Sequence, residues 1–307
     1  MKHRRLVLVA TLALLALPVI LVPIEAASFY FRNRSNGFIV SSGRTREYLL
    51  YVPPSYDRSK PTPLVISLHG ATLWGAAQKE MSQWNRVADR EGFIVVYPTA
   101  ARAGSPRVWR ATSGPLLSTD VTFIADLIDT LEAAYNIDPA RIYANGLSIG
   151  AGMSFVLSCT LSSRIAAVGM VSGAQFLPGS SCTDPRPVPM VTFHGTADPM
   201  APYGGGKKWI APSAFQNIPM WTANWAERNR CAPDPTDFAV AANVTRRTYT
   251  GCANDASVVL YTIHGGGHDW PGGQPQLRWL CGPTSYGIDA STEMWSFFRE
   301  HPLRRNP

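Results

Sequence analysis

Gly146-Leu147-Ser148-Ile149-Gly150 decides how this chain is read. It follows an apolar run, Arg141-Ile142-Tyr143-Ala144, and precedes a helix-like one from Ala151 to Leu157. The pattern predicts strand, sharp turn and helix, with a serine at the bend. A serine on such an elbow is lifted clear of the sheet, and glycines on either side leave room for the backbone to turn. Gly-x-Ser-x-Gly alone is common in ordinary turns, so its weight comes from this strand–helix context and from two loops further along the chain.

Those two loops, each at a strand end, carry suitable partners. The run Val188–Phe193 leads into His194-Gly195-Thr196-Ala197-Asp198. The run Val258–Ile263 leads into His264-Gly265-Gly266-Gly267-His268-Asp269-Trp270-Pro271-Gly272. A serine hydroxyl needs a base to take its proton, and the base needs an acid to hold one tautomer. Of the six histidines, His3 and His301 are terminal. His69 and His194 sit directly at strand ends, where a side chain more often braces the next loop, and His264, at the end of the last strand, is the lesser candidate for the base. His268 lies four residues further on, in a glycine-rich loop that can reach the nucleophile, and is read as the base. Asp198 is read as the acid. Asp269 adjoins the base and points elsewhere on this reading; Asp120 and Asp126 suit a helix cap and a solvent face. The chain order Ser, Asp, His is the order of α/β-hydrolases.

An oxyanion hole needs two backbone N–H groups aimed at the developing charge. Ile149, just after the nucleophile, is one candidate. Ala71 is the other, in the loop His69-Gly70-Ala71-Thr72 that follows the apolar run Leu64–Leu68. The alternative for that loop is a plain tight turn. Trp74, Trp109 and Trp270 fall on loops of the same face; each is read either as a substrate-pocket wall or as packing beneath a loop.

Short apolar runs alternating with helical periodicity predict an α/β fold: a mainly parallel central sheet with helices on both faces. Val121, Ile124, Leu127, Ile128, Leu131 and Tyr135 mark one helix, Met81 to Glu91 another, and Ser291 to Glu300 the last. One catalytic domain is expected over 43–303, with an irregular, cap-like insertion at about 201–242 and a linker at 27–42.

The chain has 307 residues, 46 % hydrophobic and 16 % charged, with a formal net charge of +7. Its basic residues are scattered, which argues against nucleic-acid binding. Met1-Lys2-His3-Arg4-Arg5 followed by the apolar run Leu6–Val22 reads as a signal peptide over 1–26, with an uncleaved anchor as the alternative. Either reading places the domain outside the cytoplasm. Membrane contact is expected only through this leader. Five cysteines suit an exported chain. Cys159–Cys182 and Cys231–Cys252 would each close a loop of about 20 residues, worth roughly 3 kcal/mol apiece. Spacing leaves the pairing open, and Cys281 is the odd thiol. No zinc motif occurs, and no metal or cofactor is expected.

Leu68-His69-Gly70, the serine elbow, His194–Asp198 and Gly265–Gly272 together resemble the secreted esterases of the polyhydroxybutyrate depolymerase type. These are related to feruloyl and acetylxylan esterases of carbohydrate esterase family one. The resemblance runs from about Gly43 to the end. It implies cofactor-free ester hydrolysis through Ser148, Asp198 and His268, and a disulfide at Cys231 and Cys252. Ala71-Thr72-Leu73 stands where polymer-degrading members often carry Cys-Thr-Gln, and Ile149 where relatives often carry Asn or Ala. The substrates implied are feruloyl or acetyl esters of polysaccharide, or short polyhydroxyalkanoate esters. An acyltransferase on the same fold and a non-catalytic binding protein are the rival readings.

Overall fold

The computed structural model describes residues 34–101, 107–111, 115–173, 182, 184, 186–208 and 214–304. The expected leader over 1–26 lies outside them. Residues 36–307 cluster as one compact unit.

Ten strands form one sheet among the described residues: β1 (Gly37–Ser41), β2 (Arg44–Tyr51), β3 (Thr62–Leu68), β4 (Ile94–Pro98), β5 (Ile137–Leu147), β6 (Ala167–Val171), β7 (Met190–Gly195), β8 (Thr236–Ala241), β9 (Val244–Tyr249) and β10 (Val258–Ile263). Their spatial order is β1-β2-β4-β3-β5-β6-β7-β10-β9-β8. The six central strands, β4 to β10 in that order, are mutually parallel. An antiparallel pair flanks each side. The sheet is therefore mainly parallel, as the alternating pattern predicts.

The central strands are covered on both faces, which is why they read as unbroken apolar runs. In β3, Leu64, Ile66 and Leu68 enter one core. That core also takes apolar side chains of α3 (Pro115–Ala134), α4 (Ile149–Thr160) and α5 (Ile218–Arg228). Val65 enters the other core, with α1 (Gly75–Ser82), α2 (Trp84–Glu91) and α7 (Ala290–Arg299). In α2 the buried positions Trp84, Val87 and Ala88 follow helical spacing.

Several expectations change in detail. The single helix expected over Met81–Glu91 is two, because Gln83 adopts φ 56° and ends α1 where α2 begins. The expected linker 27–42 contains β1, which pairs with β2 from Gly37↔Tyr48 to Ser41↔Arg44. The insertion at 201–242 contains α5 and β8 rather than irregular chain alone. Asn217 caps α5 by accepting the Met220 N–H, and Trp221 and Trp225 anchor it in the core. Cys159–Cys182 and Cys231–Cys252 are disulfide-bonded, while Cys281 is free and buried.

Candidate active site

Ser148 occupies the turn between β5 and α4 with φ 55° and ψ −118°, a conformation that non-glycine residues rarely adopt. The flanking glycines are dictated by close approach to β3. A Cβ on Gly146 would lie 2.4 Å from the Gly150 carbonyl carbon and 2.8 Å from the Leu68 oxygen. A Cβ on Gly150 would lie 2.3 Å from that same Leu68 oxygen. The elbow thus packs directly on the strand end that opens the His69–Thr72 loop. Ile149 begins α4, and the first N–H groups of a helix lack intrahelical acceptors. Its N–H is therefore available to an anion, at the positive end of the helix dipole.

Backbone hydrogen bonds knit the neighbouring strand ends together. Ser148 N–H donates to the Val171 carbonyl, Ser172 N–H to Phe193, Thr196 N–H to Ile263 and Ala197 N–H to Gly266, each at 2.9 Å. The loops carrying Ser148, Asp198 and His268 consequently emerge from one edge of the sheet, off β5, β7 and β10.

Asp198 and His268 meet directly: His268 Nδ1 lies 2.8 Å from Asp198 Oδ2. An ionised carboxylate only accepts, so Nδ1 carries the proton and Nε2 presents its lone pair. Asp198 Oδ1 accepts the Met200 and Ala201 N–H groups, each at 2.8 Å. Burial works against the Asp198 anion. The His268 hydrogen bond, electrostatic attraction to the His268 and His194 rings and the Ala201 N–H outweigh it, holding the carboxyl below the ordinary range.

The other histidines brace loops. His194 Nε2 donates to the Ala201 carbonyl at 2.8 Å and lies 3.4 Å from Asp198 Oδ2. Burial pushes its pKa down. His69 Nδ1 donates to the Gly70 carbonyl at 2.7 Å, and its Nε2 accepts the Ala100 N–H at 3.0 Å. Burial lowers His69 to about 4, which keeps the ring neutral. His264 contacts Thr245 on the exposed flank.

Asp269, the neighbour of His268, has structural partners. Its carboxylate accepts from Trp270 N–H, from the Gln276 backbone and side chain, and from the Thr284 hydroxyl. It folds the segment after His268 back under itself.

Trp109 and Trp270 cannot form a pocket wall, because each is only 1 % exposed. Trp109 Nε1 donates to the His69 carbonyl at 3.0 Å, and Trp270 Nε1 to Ser291 Oγ at 3.0 Å. Both are packing beneath loops, the second of the two readings their sequence context allows. Trp74 is half-buried, just after the His69–Thr72 loop. The sequence reading overlooked Leu277, Trp279, Leu280 and Tyr286. All four are exposed, Trp279 by 81 %, in or beside the short helix α6 (Arg278–Cys281). Leu277, Trp279 and Leu280 form an apolar cluster between Pro275 and Gly282, outside any strand or long helix, and Tyr286 follows it. The segment is tied to His268 through its N–H, which donates to the Cys281 carbonyl.

A family model described as esterase PHB depolymerase matches residues 46–201. Feruloyl esterase B of Piromyces equi is 30 % identical over 230 residues, which cover 73 % of this chain and 42 % of that protein. This chain thus spans less than half the length of that relative. Feruloyl esterase C of Emericella nidulans is 30 % identical over 262 residues, covering 82 % of this chain and 83 % of that one. Among solved structures, the acetyl xylan esterase from Aspergillus awamori superposes with a TM-score of 0.62 at 16 % identity, covering 86 % of this chain and 98 % of that one. The chain therefore belongs to the esterase PHB depolymerase family, a carboxylic ester hydrolase on an α/β-hydrolase fold.

Proposed function

We propose that Ser148 is the nucleophile, His268 the base and Asp198 the acid of an exported carboxylic-ester hydrolase. The observation that carries this reading is the strained Ser148 elbow beside two strand-end loops whose Asp198 and His268 are already joined at 2.8 Å. His268 Nε2 takes the Ser148 proton as Oγ attacks the ester carbonyl. Asp198 holds the ring and offsets the imidazolium charge. The Ile149 and Ala71 N–H groups receive the oxyanion. His268 then protonates the departing alcohol, and water repeats the sequence to free the acid. Export is supported by the leader-like N-terminus and the two disulfides.

The substrates proposed are feruloyl or acetyl esters of polysaccharide and short hydroxyalkanoate esters; the first is in line with the names of the two feruloyl esterases that the chain resembles. Trp279, exposed in α6, and the half-buried Trp74 are the aromatic side chains proposed to meet an acyl or aryl group. The test is a matched panel of p-nitrophenyl acetate, butyrate and octanoate, methyl ferulate and a hydroxybutyrate trimer, with Ser148→Ala as control. Serine-dependent turnover is expected, and the preferred member identifies the acyl pocket. Turnover undiminished in Ser148→Ala sinks the assignment.

A further inference from the structure

We infer that the segment Arg107–Ala111 is a positioning strap for the oxyanion turn, clamped from below by the buried Arg46–Asp120 ion pair. The inference rests on the reading of Ala71 as an oxyanion donor.

The strap touches the turn on both sides of Gly70-Ala71. Trp109 Nε1 donates to the His69 carbonyl at 3.0 Å. The Arg107 carbonyl accepts the Thr72 N–H at 2.9 Å. Thr72 sits at φ 68°, in the left-handed region that a β-branched residue occupies only when held there. Two bonds flanking one peptide fix where its N–H points, and that direction is what an oxyanion donor requires.

The strap is itself held from the opposite face. Asp120, on α3, accepts Arg46 Nη2 on Oδ1 at 2.8 Å and the Arg110 N–H on Oδ2 at 2.9 Å. The Arg46 guanidinium carbon lies 3.8 Å from the centroid of the Phe123 ring, and Trp109 stacks on that ring at 6.5 Å and 12°. A continuous chain of contacts therefore runs from β2 and α3 through the strap to the turn. The Arg46 and Asp120 side chains are 1 % and 5 % exposed, and Arg46 Nε and Nη1 are buried without a partner among the described residues. Burying such a pair costs desolvation that Coulomb attraction seldom exceeds. Stability alone is a poor reason for this arrangement, whereas placing Arg110, and through it Trp109, is a specific one.

Trp109 and Asp120 are thus positioning residues. The test compares Trp109→Phe and Asp120→Asn with the parent enzyme, counting active sites by burst titration with p-nitrophenyl acetate so that only folded protein contributes. Trp109→Phe keeps the ring and removes the donor. The expected result is kcat per site lower by about 10-fold with KM within about twofold. Affinity for a phenylboronic acid, which forms a tetrahedral adduct on the serine, should weaken by the same factor. Asp120→Asn should show the same signature. Unchanged kcat per site and unchanged boronate affinity overturn the inference, even if the variants melt earlier. So does a change confined to KM, which would make Trp109 a substrate contact. Loss of turnover in Ser148→Ala with no effect of the strap variants overturns this inference and leaves the proposed reaction standing. Retained turnover in Ser148→Ala overturns the reaction itself.

Discussion

The proposed oxyanion turn and the segment beyond His268, the proposed base, are built in opposite ways. The turn His69–Thr72 is held by interior groups. The His69 ring is satisfied at both nitrogens, and Trp109 and Arg107 bond to either side of the turn. The segment Trp270–Tyr286 has a buried root, where Asp269 gathers its donors and Trp270 reaches Ser291, but it displays Leu277, Trp279, Leu280 and Tyr286 to solvent. The contrast separates two demands. Stabilising a transition state requires donors that do not move, and buried polar contacts supply that rigidity. Meeting a varied acyl or polymeric substrate requires exposed apolar surface, which a loop rim supplies without disturbing the core.

The largest effect expected lies at the contact that orients His268. Asp198→Asn should leave the fold intact and lower kcat by about 10³- to 10⁴-fold, because the amide favours the wrong His268 tautomer. Steady-state kinetics alongside circular dichroism will check it, and a loss below tenfold would remove Asp198 from the proposed triad.

Acidification should weaken the rigid region next. Folded His69 titrates near 4 whereas the unfolded side chain titrates near 6.5, so between those values the unfolded chain binds more protons. Its contribution is complete above 6.5 and is lost as pH falls towards 4, by roughly 3 kcal/mol. His194 and His301, also lowered by burial, act in the same direction. Urea unfolding across pH 4 to 7 measures this; a midpoint that stays level over that range contradicts it.

Cutting the root of the exposed segment should cost somewhat less. Asp269→Ala strands the Trp270 and Gln276 donors and should lower stability by about 2 kcal/mol. Its urea midpoint at pH 7 is the readout, and an unaltered value would mean the segment is not anchored through Asp269. The smallest stability change belongs to the rim: Trp279→Ala should shift unfolding by under about 0.5 kcal/mol. It should lower kcat/KM for octanoate or ferulate esters several-fold and spare acetate. Equal losses on all esters would deny the rim a part in acyl recognition.

Much of this molecule is legible in its sequence because the relevant forces are local. Strands β3, β4 and β10 declare themselves as short apolar runs covered on both faces. The serine elbow is marked by glycines whose absent side chains let it lie on Leu68. Strand ends followed by His-Gly-Thr-Ala-Asp and Gly-Gly-Gly-His point to one edge of a parallel sheet. β1 and β8 are harder to read, since edge strands are half-exposed and lack a doubly apolar run.

Tertiary structure decided which polar groups meet across long stretches of chain. Arg46 and Asp120 are 74 residues apart in sequence. No local pattern distinguishes such partners from solvent-facing charges, because their energies depend on the burial that packing creates. The same holds for the tryptophans. Trp109 and Trp270 read as loop residues and Trp279 lies in the short α6, yet only packing sends the first two inside to brace the backbone and leaves the third in water. A residue's chemistry is written in the chain, and its surroundings, which decide how that chemistry is used, are made only by the fold.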